Sequence, residues 1–72
     1  MSMLKVIEVL ADSETSFEDA AQAAVTKASK SVRNIKSIYL KDMEATVENE
    51  KIVKYRINAK ISFVLDDQPV AG

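Results

Sequence analysis

The chain of 72 residues has no cysteine, no histidine and no tryptophan. Its single proline and single glycine, Pro69 and Gly72, both fall at the very end. Each absence closes a route. Without cysteine no disulfide can staple the domain, and without cysteine and histidine the usual zinc site is excluded. One terminal glycine rules out a glycine-rich phosphate loop. No serine or threonine sits in a nucleophile motif, and the dispersed acids single out no pair for acid–base work. These gaps predict a protein that is not an enzyme. Neither sign of charge dominates. The net charge is −1 with both signs interspersed, which argues against a nucleic-acid partner. Lys27, Lys30, Arg33 and Lys36 form the nearest thing to a basic cluster and read as a solvated helix end. The opening MSMLKVIEVL is too short and too charged to span a membrane and lacks a signal-peptide cleavage site. Lack of cysteine fits a cytoplasmic protein, so the expectation is a soluble protein with no membrane partner.

A chain this short buries only about 60% of its unfolded surface and is marginal alone. It needs a well-packed small core or self-association. The pattern predicts one domain over residues 1–67 and a flexible tail over 68–72. Met3 to Leu10 is rich in Val, Ile and Leu and predicts a first strand covered on both sides or nearly so. ADSETS comes next as a polar link. Ser16 is placed to cap a helix, with Thr15 and Glu18 fitting a capping box one residue earlier. From Phe17 to about Val32 one helical face collects Phe17, Ala20, Ala21, Ala24, Ala28 and Val32, with Val25 at its border. Alanines allow close approach to a sheet but fill little space.

Asn34 to Val47 predicts a second strand whose alternation slips. Ile38 and Leu40 share one parity; Met43, Ala45 and Val47 share the other. Either a bulge or bend sits near Lys41-Asp42, or the two halves bury opposite faces. Glu48 to Lys51 predicts a turn, with Asn49 accepting a left-handed backbone. Ile52 to Leu65 predicts the third strand. Its stretch KYRINAKISF puts Tyr55, Ile57, Ala59, Ile61 and Phe63 on one side and Lys54, Arg56, Asn58, Lys60 and Ser62 on the other. The order β-α-β-β, with a helical crossover and a hairpin, predicts an α+β fold: a three-stranded antiparallel sheet in spatial order 1-3-2 on one helix.

Strands of about fourteen residues span about 45 Å, whereas a sixteen-residue helix spans about 24 Å. The uncovered half would carry Tyr55 or Phe63, together with Met43, Ala45 and Val47. Exposed apolar strand of that extent predicts a homo-oligomer. Asp42, Glu44 and Glu48 fall at even spacing; they either offer oxygens to a hard cation such as calcium or form a solvated face.

KVIEVL, then SETSFEDAAQAAVTKASKSVRNI, then VENEKIVKYRINAKISFVLDD together resemble the dodecin family, over about residues 4 to 67. The resemblance implies a β-α-β-β subunit assembled as a hollow spherical homododecamer. It also implies binding and storage or sequestration of a small ligand, a flavin such as riboflavin, FMN or lumichrome, without catalysis. Carried over by residue, the position of the flavin-stacking Trp is Ser37, and that of the Gln that bonds the polar ring edge is Arg56. Asp42 matches an acidic residue near the flavin side chain. Glu44 stands, with charge reversed, where some members bring an Arg to the FMN phosphate. Tyr39, two residues on from Ser37, either partly replaces the stacking ring or packs in an interface. Loss of the ring matters, because aromatic stacking is worth about 1–3 kcal/mol per base in comparable systems. Arg56 offers donors only and would pair with an acid such as Asp42 or Glu44 of another subunit. The YRI strand without Trp resembles more closely the branch associated with calcium. The resemblance therefore implies a flavin store with weakened or altered binding, or else a cage of calcium-binding or structural character.

Overall fold

The computed structural model describes residues 3–65. The expected tail over 68–72, and the final two residues of the expected domain, lie outside them. Four elements succeed one another: β1 (Met3–Ser13), α1 (Phe17–Ala28), β2 (Ile35–Glu48) and β3 (Lys51–Leu65). The sheet order is β1-β3-β2, with both pairings antiparallel. Among the described residues no helix is long and apolar enough to cross a membrane.

β1 runs three residues past the predicted Leu10, to Ser13. The polar link and the first turn of the helix hold its end. Buried Ser13 donates from Oγ to Asp19 Oδ2 at 2.7 Å and accepts from the backbone N–H of Thr15 at 2.8 Å. Ser16 then caps α1, its Oγ accepting from the N–H of Asp19 at 2.9 Å. Glu18 and Asp19 lie in the first turn, where negative charge suits the helix dipole. The regular helix stops at Ala28, a turn short of Val32. The N–H groups of Ser31 and Val32 both bond back to the Ala28 carbonyl, at 2.9 Å each. That tightened turn ends at Asn34, whose φ of 61° suits Asn among the non-glycine residues.

The helix packs its alanine face on the central strand. Ala20 is buried over Ile57 and Ala59, with Val9, Ala11, Phe17, Ala21, Ile38 and Leu40 packed around them, and Ala24 and Ile61 are buried as well. Two expectations need correction. Tyr55 and Phe63 are not the uncovered residues: Phe63 is buried, and the Tyr55 ring meets Phe17 edge to face at 5.0 Å. Nor is β1 covered on both sides within one chain. Ile7, Val9 and Ala11 turn towards the helix, but Leu4 and Leu10 on the other side are 65% and 69% exposed.

The slip in β2 is a bulge. The β2–β3 register shifts between Leu40 and Asp42, where predicted, and also between Ile35 and Ser37 and between Thr46 and Val47. Ile38 and Leu40 pair with Ile61 and Ala59 before it; Met43 and Ala45 pair with Ile57 and Tyr55 after it. Both sets therefore stay on the helix side, because the extra residue Lys41 absorbs the change of parity. The hairpin turns through Asn49 and Glu50, with φ of 51° and 65°. Two positive φ values in a two-residue loop match the right-handed twist of the strands.

Candidate ligand site on the outer sheet face

The sheet face away from the helix is built in rows by the register. Arg56 lies between Asp12 and Glu44, and Asn58 between Leu10 and Asp42. Lys60 lies between Glu8 and Tyr39, and Ser62 between Val6 and Ser37. All five residues singled out in the sequence thus share one face. They do not form one cluster. Arg56, Asp42 and Glu44, with Leu10 and Asn58, line a recess of about 190 Å³. Tyr39 and Ser37 occupy the next two rows, outside it.

The fourth row is closed by the Oγ atoms of Ser37 and Ser62, 2.6 Å apart in a hydrogen bond. In the first row, Arg56 Nε donates to Asp12 Oδ1 at 2.8 Å. Within the chain the guanidinium thus takes Asp12, a partner the sequence does not single out, and its remaining N–H groups face Asp42 and Glu44 across the recess. The Arg56 hydrogen bond, helped by the charges of Arg56 and Lys54 and opposed by partial desolvation, holds the Asp12 carboxyl below its ordinary value. The same bond to Asp12, with a smaller contribution from the charge of Glu44, raises Arg56 further. A second, looser pair joins Lys41 Nζ to Glu8 Oε2 at 3.7 Å. Lys41 is the bulged residue, so the bulge puts its ammonium on the same face as Asp42.

Asp12, Leu10 and Asn58 belong to this site although the sequence does not single them out. Asp12 reads as loop because every residue from Asp12 to Ser16 is polar. Its parity with Val6, Glu8 and Leu10 is the available signal, and antiparallel pairing with β3 sets it opposite Arg56. Asn58 Oδ1 is buried and has no hydrogen-bond partner among the described residues. An unpaired buried oxygen costs free energy unless something outside the chain satisfies it.

The recess offers two carboxylates, an amide oxygen and the remaining N–H groups of a guanidinium. That set binds; it holds no nucleophile. It does not complete a calcium site in one chain. Among the described residues no group of three or more acidic side chains is arranged to hold a metal, whereas calcium takes six to eight oxygens. Within one chain it does not enclose a flavin either. The volume is below the roughly 300–1,000 Å³ of small-molecule pockets, and no ring lines the recess.

Residues 3–66 match the family model described as Dodecin. The chain is 36% identical over 63 residues to the calcium dodecin of Mycobacterium tuberculosis, covering 88% of this chain and 89% of that protein. A crystal structure of the M. tuberculosis calcium dodecin, described as calcium-chelating with a novel calcium-binding site, aligns with a TM-score of 0.76 at 31% identity over 97% of each chain. The dodecin of Thermus thermophilus, solved as an Arg-to-Ala variant, aligns with a TM-score of 0.87 at 25% identity, over 93% of this chain and all of that one. Of these two structures, the calcium dodecin is nearer in sequence and the Thermus protein nearer in backbone.

Proposed function

The chain belongs to the dodecin family, and from that premise we propose that it forms a hollow homododecamer that holds a hard cation such as calcium, not a flavin. Dodecins are small non-enzymatic binding proteins with a ligand-binding, oligomeric role, and this chain is one of them. The reading places the cation at the outer sheet face, where Asp42 and Glu44 of one subunit supply part of an oxygen set and a neighbour supplies the rest. The single observation that carries it is the state of Arg56. Its Nε is tied to Asp12, so it stands as a charged donor where flavin-binding members are expected to offer an amide. Ser37 reinforces this, since its hydroxyl is engaged with Ser62 and supplies no stacking surface. Kinship with a calcium dodecin over most of both chains supports the cation.

Calorimetric titration of chelator-treated protein with calcium tests the proposal, beside titration of riboflavin fluorescence. The expected result is saturable calcium uptake, weakened by Asp42→Asn, with riboflavin fluorescence unquenched. Riboflavin quenching without calcium uptake would return the family's flavin-storing role. No response to either ligand would leave a purely structural cage.

A further inference from the structure

The outer sheet face distributes its charges by strand. The central strand β3 presents Lys54, Arg56 and Lys60, and acids stand on both sides of it: Glu8 and Asp12 on β1, Asp42 and Glu44 on β2. Arg56 has two carboxylates within its own row, Asp12 on one side and Glu44 on the other. Its Nε bonds to Asp12, at 2.8 Å. Lys41 shows the same preference. It is the chain neighbour of Asp42 on β2, yet its Nζ reaches across the central strand to Glu8 on β1, at 3.7 Å. These two are the ion pairs found among the described residues. Two cations that could neutralise the β2 acids are thus drawn to β1 instead.

That division bears on the recess. Asp42 and Glu44 line it together with Asn58, whose Oδ1 is buried without a partner among the described residues. A guanidinium swung onto Glu44 would fill its lone pairs with N–H donors. It would also set a like charge beside any cation there. In a water-like dielectric, moving a single charge from about 4 Å to about 8 Å from a divalent cation is worth about fivefold in affinity. The side on which Arg56 sits therefore matters to what the β2 acids can hold.

We infer that Asp12 is a positioning residue for the cation proposed at this face: by holding Arg56 on the β1 side, it leaves the Asp42–Glu44 pair open to a hard cation such as calcium. This rests on the reading above and names the residue that sets affinity at that site. Asp12 acts through Arg56. It is not a third ligand, since among the described residues no three acids are grouped to hold a metal. Glu8 draws Lys41 the same way, through a longer contact.

Calorimetric calcium titration of the chelator-treated native protein, Asp12→Ala, Arg56→Gln and the double variant tests this, each protein first checked by light scattering for the native mass. Asp12→Ala is expected to bind calcium about fivefold more weakly, and Arg56→Gln about fivefold more tightly. Adding Asp12→Ala to Arg56→Gln should then change affinity little, because no guanidinium remains to be held. An equal loss from Asp12→Ala in both backgrounds would overturn the inference, since Asp12 would then act by its own charge. So would an unchanged affinity in Asp12→Ala. If that variant fails to assemble, Arg56→Gln decides alone, and an affinity that does not rise overturns the inference. Absence of calcium uptake by the native protein would sink the cation reading and this inference with it, a result distinct from uptake that ignores Asp12.

Discussion

Asp12 and Arg56 face each other across the β1–β3 ladder and share a 2.8 Å hydrogen bond from Nε to Oδ1. The bond ties an edge strand to the central strand at the row where the recess begins. It also commits the side chain on which ligand choice turns. If that commitment excludes flavin, two changes should reverse it. Ser37→Trp with Arg56→Gln restores a stacking ring and an amide, worth about 1–3 kcal/mol for the ring alone. The double variant should quench riboflavin fluorescence, whereas Arg56→Gln alone should not. Failure of the double variant to quench would mean that the face is closed to flavin by more than these two residues.

Acid should weaken this tie in a defined direction. The Asp12 carboxyl lies below its ordinary value because Arg56 bonds to it. A depressed carboxylate stabilises the fold above its unfolded pKa, about 3.9, and that contribution fades as pH falls through the folded value. Thermal melts of the native protein and of Asp12→Asn should therefore differ at neutral pH and converge at strongly acidic pH. A gap that stays constant with pH would show that Asp12 acts by packing and not by charge.

The hairpin tip holds a correctable conformational cost. Glu50 has a φ of 65°, a region that disfavours any residue with a Cβ by roughly 1–2 kcal/mol. Glu50→Gly makes the turn Asn-Gly and should stabilise the fold by about 0.5–1 kcal/mol, less than the full relief because glycine loses more entropy on folding. Asn49→Ala should do the opposite. Denaturant midpoints at unchanged slope would measure both.

The helix seat should tolerate little change in volume. Ala20 is fully buried against Ile57 and Ala59. Ala20→Leu would lift α1 from the sheet at a cost of about 1–3 kcal/mol. Ser16→Ala should cost about 1 kcal/mol through loss of the cap on the Asp19 N–H. If Ala20→Leu melts like the native protein, the helix–sheet contact is looser than the burial of Ala20 implies.

Much of this fold can be read from residue order because its periodicities are clean. The alternation in KYRINAKISF and the alanine face of α1 place the central strand and the helix on it. Even the broken alternation of β2 carries its own diagnosis, since a change of parity at Lys41-Asp42 is what an extra residue there produces. The helix exit is harder, because Ser29 to Val32 keep helical spacing while Asn34 needs room for its left-handed turn. The site is harder again. Ser37, Tyr39, Asp42, Glu44 and Arg56 do share one face, but pairing across the sheet decides which of them touch. Asp12 is remote from Arg56 in sequence and sits in a segment whose composition reads as loop. Only the β1–β3 register joins them.

The bulge at Lys41 divides β2 into two reading frames. Upstream of it, residues at odd positions such as Tyr39 look outward; downstream, it is those at even positions such as Asp42 and Glu44. Loss of Lys41 would leave a regular ladder with Leu40 inward and Asp42 outward, whereas pairing Lys41 into the ladder without a bulge would turn both carboxylates in towards the helix and Met43 out to the solvent. The acidic character of the outer face thus depends as much on one unpaired residue staying out of the ladder as on the acids themselves.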